Sequence, residues 1–283
     1  MAKVYDALRR AEEERKRRSG APATSPTAPL DLEPARPHPR PAKEGRPALW
    51  KRLLASAGGG GEPSGDFNKR RISLLQPDSY VAEQFRSLRG RIDALAAQRP
   101  IRTLAVTSPL SGEGKTTAAI NLAIVTSMSL GRRVLLIDCD LRKPKVHQAL
   151  GLRPEAGLAE VLSDAVSLDS AILKVEGMNL EVLAVRGKPA NPSELLSGPR
   201  MRELVEEVAR RYDRVILDTP AALGVPDAKA VAELCDGLIL VVRADVTPHQ
   251  EVEAALEILD RRRLLGLVLN GAQVDQGRYG YAT

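Results

Sequence analysis

The sequence predicts a doubly wound α/β domain with a mostly parallel sheet, preceded by a basic N-terminal arm that we expect to be disordered. From about Asp78 onward, short apolar segments alternate with longer amphipathic ones, which is the order of strands and helices in such a domain. The apolar segments are continuous, as in parallel strands covered by helices on both faces. Because aromatic residues make up only 3% of the chain, the core should consist of Leu, Val, Ile and Ala.

The individual elements follow from hydrophobic periodicity. One helix is predicted over 79–98, where Val81, Phe85, Leu88, Ile92 and Leu95 form a stripe. Further helices are predicted at 115–129, 193–211, 227–235 and 248–262. Strands are predicted at 102–107, 133–138, 180–185, 214–218, 237–242 and 264–269.

The N-terminal arm carries the excess positive charge. Residues 1–71 contain 16 Lys and Arg against 9 Asp and Glu, whereas residues 72–283 contain 26 against 27. Residues 1–18 read as a short amphipathic helix, and residues 19–71 as a linker rich in Pro and Gly. Such an arm attracts an anionic membrane, a nucleic acid or an acidic partner, or simply forms a solvated tail. Since the neutral body lacks a basic surface interleaved with aromatics, we expect no nucleic-acid partner.

The two cysteines, Cys139 and Cys235, lie far apart without metal-ligand spacing. We therefore expect neither a disulfide framework nor a metal cluster, and a reducing, cytoplasmic location. The sequence has no apolar run of the length that a transmembrane helix needs, and its N-terminus lacks a signal-peptide pattern.

A glycine-rich loop between a predicted strand and a predicted helix indicates a phosphate site. Gly112 and Gly114 allow backbone N–H groups to approach a phosphate, Lys115 supplies positive charge, and Thr116 offers a hydroxyl to Mg²⁺. Pro109 stands where the general P-loop pattern has its first glycine. The predicted nucleotide-binding residues of this Walker A loop are Ser111, Gly112, Glu113, Gly114, Lys115, Thr116 and Thr117.

Acidic residues end two other predicted strands. Asp218 follows Val-Ile-Leu in a Walker B pattern, and Asp138 and Asp140 follow Leu-Leu-Ile. Ligands of open α/β sheets bind at the carboxyl ends of strands, so these carboxylates should meet one metal–phosphate centre. The alternative for Asp138 and Asp140 is turn capping. Arg142 either stabilises phosphate charge or is a surface residue, and Cys139 should pack on the opposite side.

These segments resemble the bacterial tyrosine kinases, the P-loop kinases of capsule and exopolysaccharide assembly. Asp138-x-Asp140-x-Arg142 is similar to the family's Walker A′ motif, and Glu83-x-x-Arg86-x-x-Arg89 resembles the helical motif through which these kinases form rings. An exposed, salt-bridged stripe is the alternative for that helix. Other similar segments are Gly157–Leu162, Asn191–Leu196, Leu217–Pro220 and Pro226–Ala228.

The resemblance implies a P-loop kinase domain over residues 72–275 that uses ATP and Mg²⁺. Lys115, Asp138 and Asp140 would be catalytic, with Asp138 assisting the tyrosine hydroxyl. Thr116, Asp140 and Asp218 would hold the metal. Asn270 would contact adenine, with a structural Asn-Gly turn as the alternative.

The resemblance also implies what the kinase acts on and where. Tyr279 and Tyr281 lie in the tail 276–283 and would accept phosphate from a neighbouring subunit of a homo-oligomeric ring. A transmembrane chain-length regulator of the polysaccharide copolymerase type would be the activating partner, placing the kinase at the inner face of the membrane. Its autophosphorylation would regulate polymerisation and export of an exopolysaccharide or capsule.

Two other functions remain open from the sequence. One is a nucleotide-driven switch of the plasmid-partition or septum-placement type, although Leu110 stands where that class has a second lysine. The other is a non-catalytic ATP-binding regulator, since a P-loop serves both enzymes and regulators.

Overall fold

The computed structural model of the chain describes residues 76–272. The predicted helix at 1–18, the linker at 19–71 and the tail at 276–283 lie outside the described residues. Among those described, no helix has the length and apolar character needed to cross a membrane.

A seven-stranded sheet forms the centre of the domain, in the order β3-β4-β2-β5-β1-β6-β7. All neighbouring strands are parallel except β3 and β4, which pair antiparallel at one edge. The predicted mostly parallel sheet is therefore confirmed. The strands are β1 (Thr103–Thr107), β2 (Val134–Asp138), β3 (Ile172–Lys174), β4 (Leu180–Leu183), β5 (Arg214–Asp218), β6 (Gly237–Arg243) and β7 (Leu264–Asn270).

One helix precedes β1, and helices occupy the connections between the strands except the one from β3 to β4. They are α1 (Tyr80–Ala96), α2 (Lys115–Ser127), α3 (Val146–Leu150), α4 (Leu158–Leu162), α5 (Leu168–Ala171), α6 (Pro192–Ser197), α7 (Pro199–Arg211), α8 (Asp227–Ala232) and α9 (His249–Ile258). Helix α1 begins where the Ser79 hydroxyl accepts a hydrogen bond from the Ala82 N–H at 3.2 Å, as an N-cap serine does.

The single helix predicted over 193–211 was wrong. Gly198 has extended backbone angles and divides the segment into α6 and α7, and each part begins with a proline, Pro192 or Pro199. Proline is favoured at the first helical position because its missing N–H is not needed there. The short elements α3, α4, α5 and β3 were not predicted.

Two apolar layers cover the two faces of the sheet, as a doubly wound fold requires. Helices α1, α2 and α3 pack on one face, and α4 to α9 on the other. Helix α2 is buried along nearly its whole length because α1 lies over it. Cys139 is fully buried in the second layer, which confirms its predicted packing role.

The strand order brings the predicted acidic strand ends together. Strands β1 and β2 both flank β5, and Asp138 lies directly opposite Asp218 in the register of β2 and β5. The loop that follows β1 lies at the same side of the sheet, where the parallel strands have their carboxyl ends. Parallel pairing therefore juxtaposes three segments that are distant in sequence.

Candidate nucleotide and metal site

The loop between β1 and α2 is shaped to receive phosphate. Gly112 and Gly114 have φ values of 91° and 96°, a left-handed conformation that glycine adopts without the strain of a side chain. A Cβ atom on Gly114 would lie 2.0 Å from Nδ2 of Asn270. Helix α2 begins at Lys115, so its unpaired N–H groups and the positive end of its dipole face the site.

Lys115 is paired with one of the predicted acidic residues. Its Nζ lies 3.0 Å from Oδ2 of Asp140, and both side chains are largely buried. Burial by itself would lower the pKa of Lys115, but the charges of Asp218 and Asp140 outweigh it, so the pKa is raised. The ammonium group is therefore positively charged in this site.

Asp138 is fully buried and binds the loop that follows β2. Its Oδ1 accepts the N–H of Asp140 at 3.1 Å, and its Oδ2 accepts those of Lys145 and Val146, each at 3.1 Å. Burial and the nearby carboxylate of Asp218 raise its pKa to about 8, against these backbone donors. Asp138 therefore makes the contacts of a turn-capping residue, and its carboxyl group also lies at the edge of the site.

Asp140 divides its two oxygens between the loop and the lysine. Oδ1 accepts the Lys143 N–H at 3.0 Å, while Oδ2 faces Lys115. Turn capping and contact with Lys115 of the predicted phosphate loop therefore coexist in this residue.

Asp218 has buried carboxylate oxygens that accept no regular hydrogen bond from the described residues. Burial raises its pKa to about 6, opposed mainly by the charge of Lys115. The Thr116 hydroxyl approaches the carboxylate and also lowers the pKa, without the geometry of a regular hydrogen bond. A buried carboxylate without such partners normally binds a cation.

The available oxygen atoms fit Mg²⁺. Asp218, Asp140 and the Thr116 hydroxyl supply hard oxygen ligands, as this ion prefers. Among residues 76–272, no cluster of three or more His, Cys, Asp or Glu side chains could hold a metal ion by itself. Mg²⁺ at phosphate sites commonly uses one or two carboxylates and completes its shell with substrate phosphates and water.

A cavity of about 510 Å³ opens beside these residues. Its wall contains the loop residues Ser111, Gly112 and Gly114 to Thr117, together with Asp140 and Asn270. Asn270 donates its amide Nδ2–H to the backbone oxygen of Glu113 at 2.8 Å, so this side chain lies against the phosphate loop.

Three further cations line the same cavity and were not singled out from the sequence: Lys143, Lys145 and Arg243. Lys143 and Lys145 follow the Asp138-x-Asp140 pattern in one loop, and Arg243 ends β6 beside β1. The available signal was that all three follow strands of the predicted parallel sheet, whose carboxyl ends lie on the same side of the sheet as the phosphate loop.

Arg142 pairs with Asp227, and neither residue lines the cavity that contains Lys115. Its Nε lies 2.9 Å from Oδ2 of Asp227, and its Nη2 donates to Ser193 Oγ at 2.8 Å. The Ser193 hydroxyl donates to the other oxygen of Asp227 at 2.6 Å. Arg142 thus joins the loop after β2 to α6 and α8, three segments that belong to the quoted motifs.

The charged stripe on α1 makes contacts within its own chain. Glu83 and Arg86 form an ion pair of 2.7 Å, and Arg89 donates to the backbone oxygen of Val125 in α2 at 2.7 Å. Glu83 is exposed, while the two arginines are half-buried. The predicted acceptors Tyr279 and Tyr281 lie outside the described residues.

Comparison with known proteins identifies the family. An AAA domain matches residues 101–262. The chain is 39% identical to tyrosine-protein kinase YwqD of Bacillus subtilis over 74% of its own length and 90% of that protein. It is 35% identical to the succinoglycan biosynthesis transport protein ExoP of Rhizobium meliloti over 74% of its length, but only 27% of that protein.

A solved structure agrees with these sequence matches. The kinase domain of the Escherichia coli tyrosine kinase ETK superposes with a TM-score of 0.66 at 30% identity, covering 75% of this chain and 84% of that one. Together with the P-loop fold and the clustered lysine and aspartates, these matches show that the chain belongs to the bacterial tyrosine-protein kinases.

Proposed function

We propose that the chain is an ATP-dependent protein-tyrosine autokinase that phosphorylates Tyr279 and Tyr281 of a neighbouring copy. The observation that carries this proposal is the convergence of Lys115, Asp138 and Asp218 at one edge of the sheet, beside a cavity bordered by the phosphate loop. Family membership supplies the tyrosine as acceptor, and the site supplies the groups that phosphoryl transfer needs.

ATP would bind in the cavity with its phosphates against the loop and Lys115. Asn270 has its Nδ2 donor directed to Glu113, which leaves its oxygen as an acceptor for the exocyclic amine of adenine. The cations Lys143, Lys145 and Arg243 add positive charge to the cavity wall. These groups favour an adenine nucleotide with a polyphosphate chain.

Thr116, Asp140 and Asp218 would hold Mg²⁺. When bound, this ion neutralises negative charge on the phosphates. Binding it also requires Asp140 and Asp218 in their ionised forms.

The transfer itself exchanges one bond for another. The bond between the γ-phosphorus and its bridging oxygen breaks, a bond to the phenolic oxygen forms, and the phenolic proton passes to Asp138. The raised pKa makes Asp138, once it is ionised, a stronger base than an ordinary aspartate, so the transfer proceeds from the form in which Asp138 has lost its proton. Lys115 would stabilise the charge on the transferring group.

The phosphorylated tail would belong to another subunit of a ring assembled through Glu83, Arg86 and Arg89. We further propose a transmembrane chain-length regulator as partner, which would hold the kinase at the inner face of the membrane and promote turnover. The ExoP relative, named for succinoglycan biosynthesis and transport, supports a role in polysaccharide production.

The direct test is phosphosite mapping by mass spectrometry after the purified full chain is incubated with ATP and Mg²⁺. Phosphate on Tyr279 and Tyr281 is expected, and Tyr279→Phe with Tyr281→Phe should abolish it; Tyr80→Phe serves as the matched control. ATP hydrolysis without phosphotyrosine would instead support a switch, and neither activity, with partner peptide present, a regulator.

Transfer between subunits has its own test. Lys115→Met cannot phosphorylate and the Tyr279→Phe/Tyr281→Phe variant cannot be phosphorylated, so neither should be labelled alone. A mixture should label the tail of the Lys115→Met chain. No label in the mixture, although the parent chain labels itself, would mean transfer within one subunit.

A further inference from the structure

The phosphate loop contains an acidic side chain that faces away from the cavity. Ser111, Gly112 and Gly114 line the cavity, but Glu113 between them does not, and it is only 3% exposed. A carboxylate beside a polyphosphate is electrostatically unfavourable, so a phosphate-binding loop gains nothing from this charge unless the side chain is fixed elsewhere. Glu113 is among the residues predicted to bind nucleotide, but its side chain does not line the cavity.

The Glu113 carboxylate is held by two donors. Oε2 accepts the Leu110 N–H at 2.8 Å, and Oε1 accepts the hydroxyl of Thr247. Leu110 belongs to the same loop, whereas Thr247 lies in the turn between β6 and α9. The second contact thus joins the phosphate loop to a segment 134 residues further along the chain.

Thr247 is itself fixed within that turn. Its Oγ1 accepts the Arg243 N–H at 3.1 Å, and its own N–H donates to the Arg243 oxygen at 3.0 Å. Arg243 lines the cavity, and Asn270, beside it in the β6–β7 register, holds the Glu113 backbone oxygen. Hydrogen bonds to both the side chain and the backbone of Glu113 therefore hold the phosphate loop in place.

We propose that Glu113, Thr247 and Asn270 form a latch that sets the conformation of the phosphate loop for nucleotide, with Thr247 as a positioning residue. The latch keeps the carboxylate out of the phosphate position and the loop N–H groups open towards it. This inference rests on the nucleotide-binding part of the proposed function and not on tyrosine phosphorylation.

The test compares ADP binding by isothermal titration calorimetry, with Mg²⁺ present, for variants of Thr247. Thr247→Val keeps the shape but loses the hydroxyl, and should weaken ADP binding about tenfold, the scale of a hydrogen bond to a charged group. Thr247→Ser keeps the hydroxyl and should bind within about twofold of the parent. Val246→Ala alters an exposed side chain of the same turn and serves as the control.

A double-mutant cycle separates the latch from a general loss of structure. Glu113→Gln should also weaken ADP binding, and combining it with Thr247→Val should add little, because both remove the same contact. In tail phosphorylation, Thr247→Val should raise KM for ATP about tenfold and change kcat less than about threefold, as expected when ground-state binding is lost.

Three results overturn the inference: ADP affinity of Thr247→Val within twofold of the parent, a Thr247→Ser variant as weak as Thr247→Val, or additive effects in the cycle. Thermal melts establish the folded fraction, and if Thr247→Val does not fold, Glu113→Gln decides the question, because ADP affinity within twofold of the parent in this variant also overturns the inference. Because ADP binding needs no phosphoryl transfer, failure of the kinase proposal leaves this test readable.

Discussion

Replacing Asp218 by asparagine should make the nucleotide-free protein more stable while abolishing its activity. The carboxylate is buried, accepts no regular hydrogen bond from residues 76–272, and has a pKa that burial raises although the charge of Lys115 opposes the shift. Asparagine has nearly the same shape without the charge, so the substitution removes an electrostatic penalty from the folded state. It also removes a ligand proposed for Mg²⁺, and phosphorylation should fall by about two decades or more.

The size of the stabilisation follows from the pKa. Burial raises the pKa of Asp218 from 3.8 to about 6, and each unit corresponds to about 1.4 kcal/mol, which gives about 3 kcal/mol at neutral pH. The Asp218→Asn substitution introduces a buried amide whose hydrogen bonds are incomplete, and its desolvation costs about 1 kcal/mol of folding free energy. A net gain of about 2 kcal/mol corresponds to about 4 to 8 °C in Tm for a domain of this size.

The stabilisation by Asp218→Asn should increase as the pH rises. An unfolded aspartate ionises near pH 3.9, whereas folded Asp218 keeps its proton up to about pH 6. Between these values the folded chain binds more protons, so the parent protein loses stability as the pH rises through this window. The penalty is absent below about pH 4 and complete above about pH 6.

Thermal melts in EDTA without nucleotide, from pH 5 to pH 8, measure this difference. Asp218→Asn should melt above the parent at pH 8, with a smaller gap at pH 5. Asp227→Asn is the matched control, because this buried carboxylate is satisfied by Arg142 and Ser193 and its loss should lower Tm. An Asp218→Asn variant that melts below the parent at pH 8, or a gap independent of pH, would refute the reasoning.

Three further outcomes are expected. Lys115→Met should fold yet lose two to four decades of phosphorylation rate, and should melt below the parent because Asp140 loses its ion pair; normal labelling would contradict the site. Gly114→Ala should abolish ADP binding in calorimetry, since its Cβ would lie 2.0 Å from Asn270 and φ is 96°; unchanged affinity would disprove the loop geometry. Glu83→Arg should leave a folded monomer by light scattering, because it replaces an exposed acid of the proposed ring contact; an unchanged ring would exclude that contact.

The hydrophobic pattern and the polar residues that end the strands predicted most of the central sheet. Strand β5 was predicted at its observed bounds and β2 within one residue, because buried parallel strands are continuous apolar runs that end at polar residues. The phosphate loop was predicted because its glycines, lysine and threonine lie next to one another in the sequence, between a predicted strand and a predicted helix. The break at Gly198 was missed although the Gly-Pro pair signalled it.

Contacts between distant segments were beyond sequence reasoning. The partner of Arg142 is Asp227, 85 residues away, and that of Glu113 is Thr247, 134 residues away. No periodicity encodes such pairs, since they depend on how neighbouring loops meet after the sheet has formed. Short elements such as α4 and β3 were missed because packing, and not local propensity, stabilises segments of this length.

The ion pair between Lys115 and Asp140 has a consequence for turnover. A nucleotide that recruits the lysine must first separate it from this carboxylate, and the separation consumes part of the free energy of association. When the product departs, the carboxylate takes back the ammonium group. In the kinase proposed above, this competition for the lysine would favour release of the product nucleotide over its tight retention.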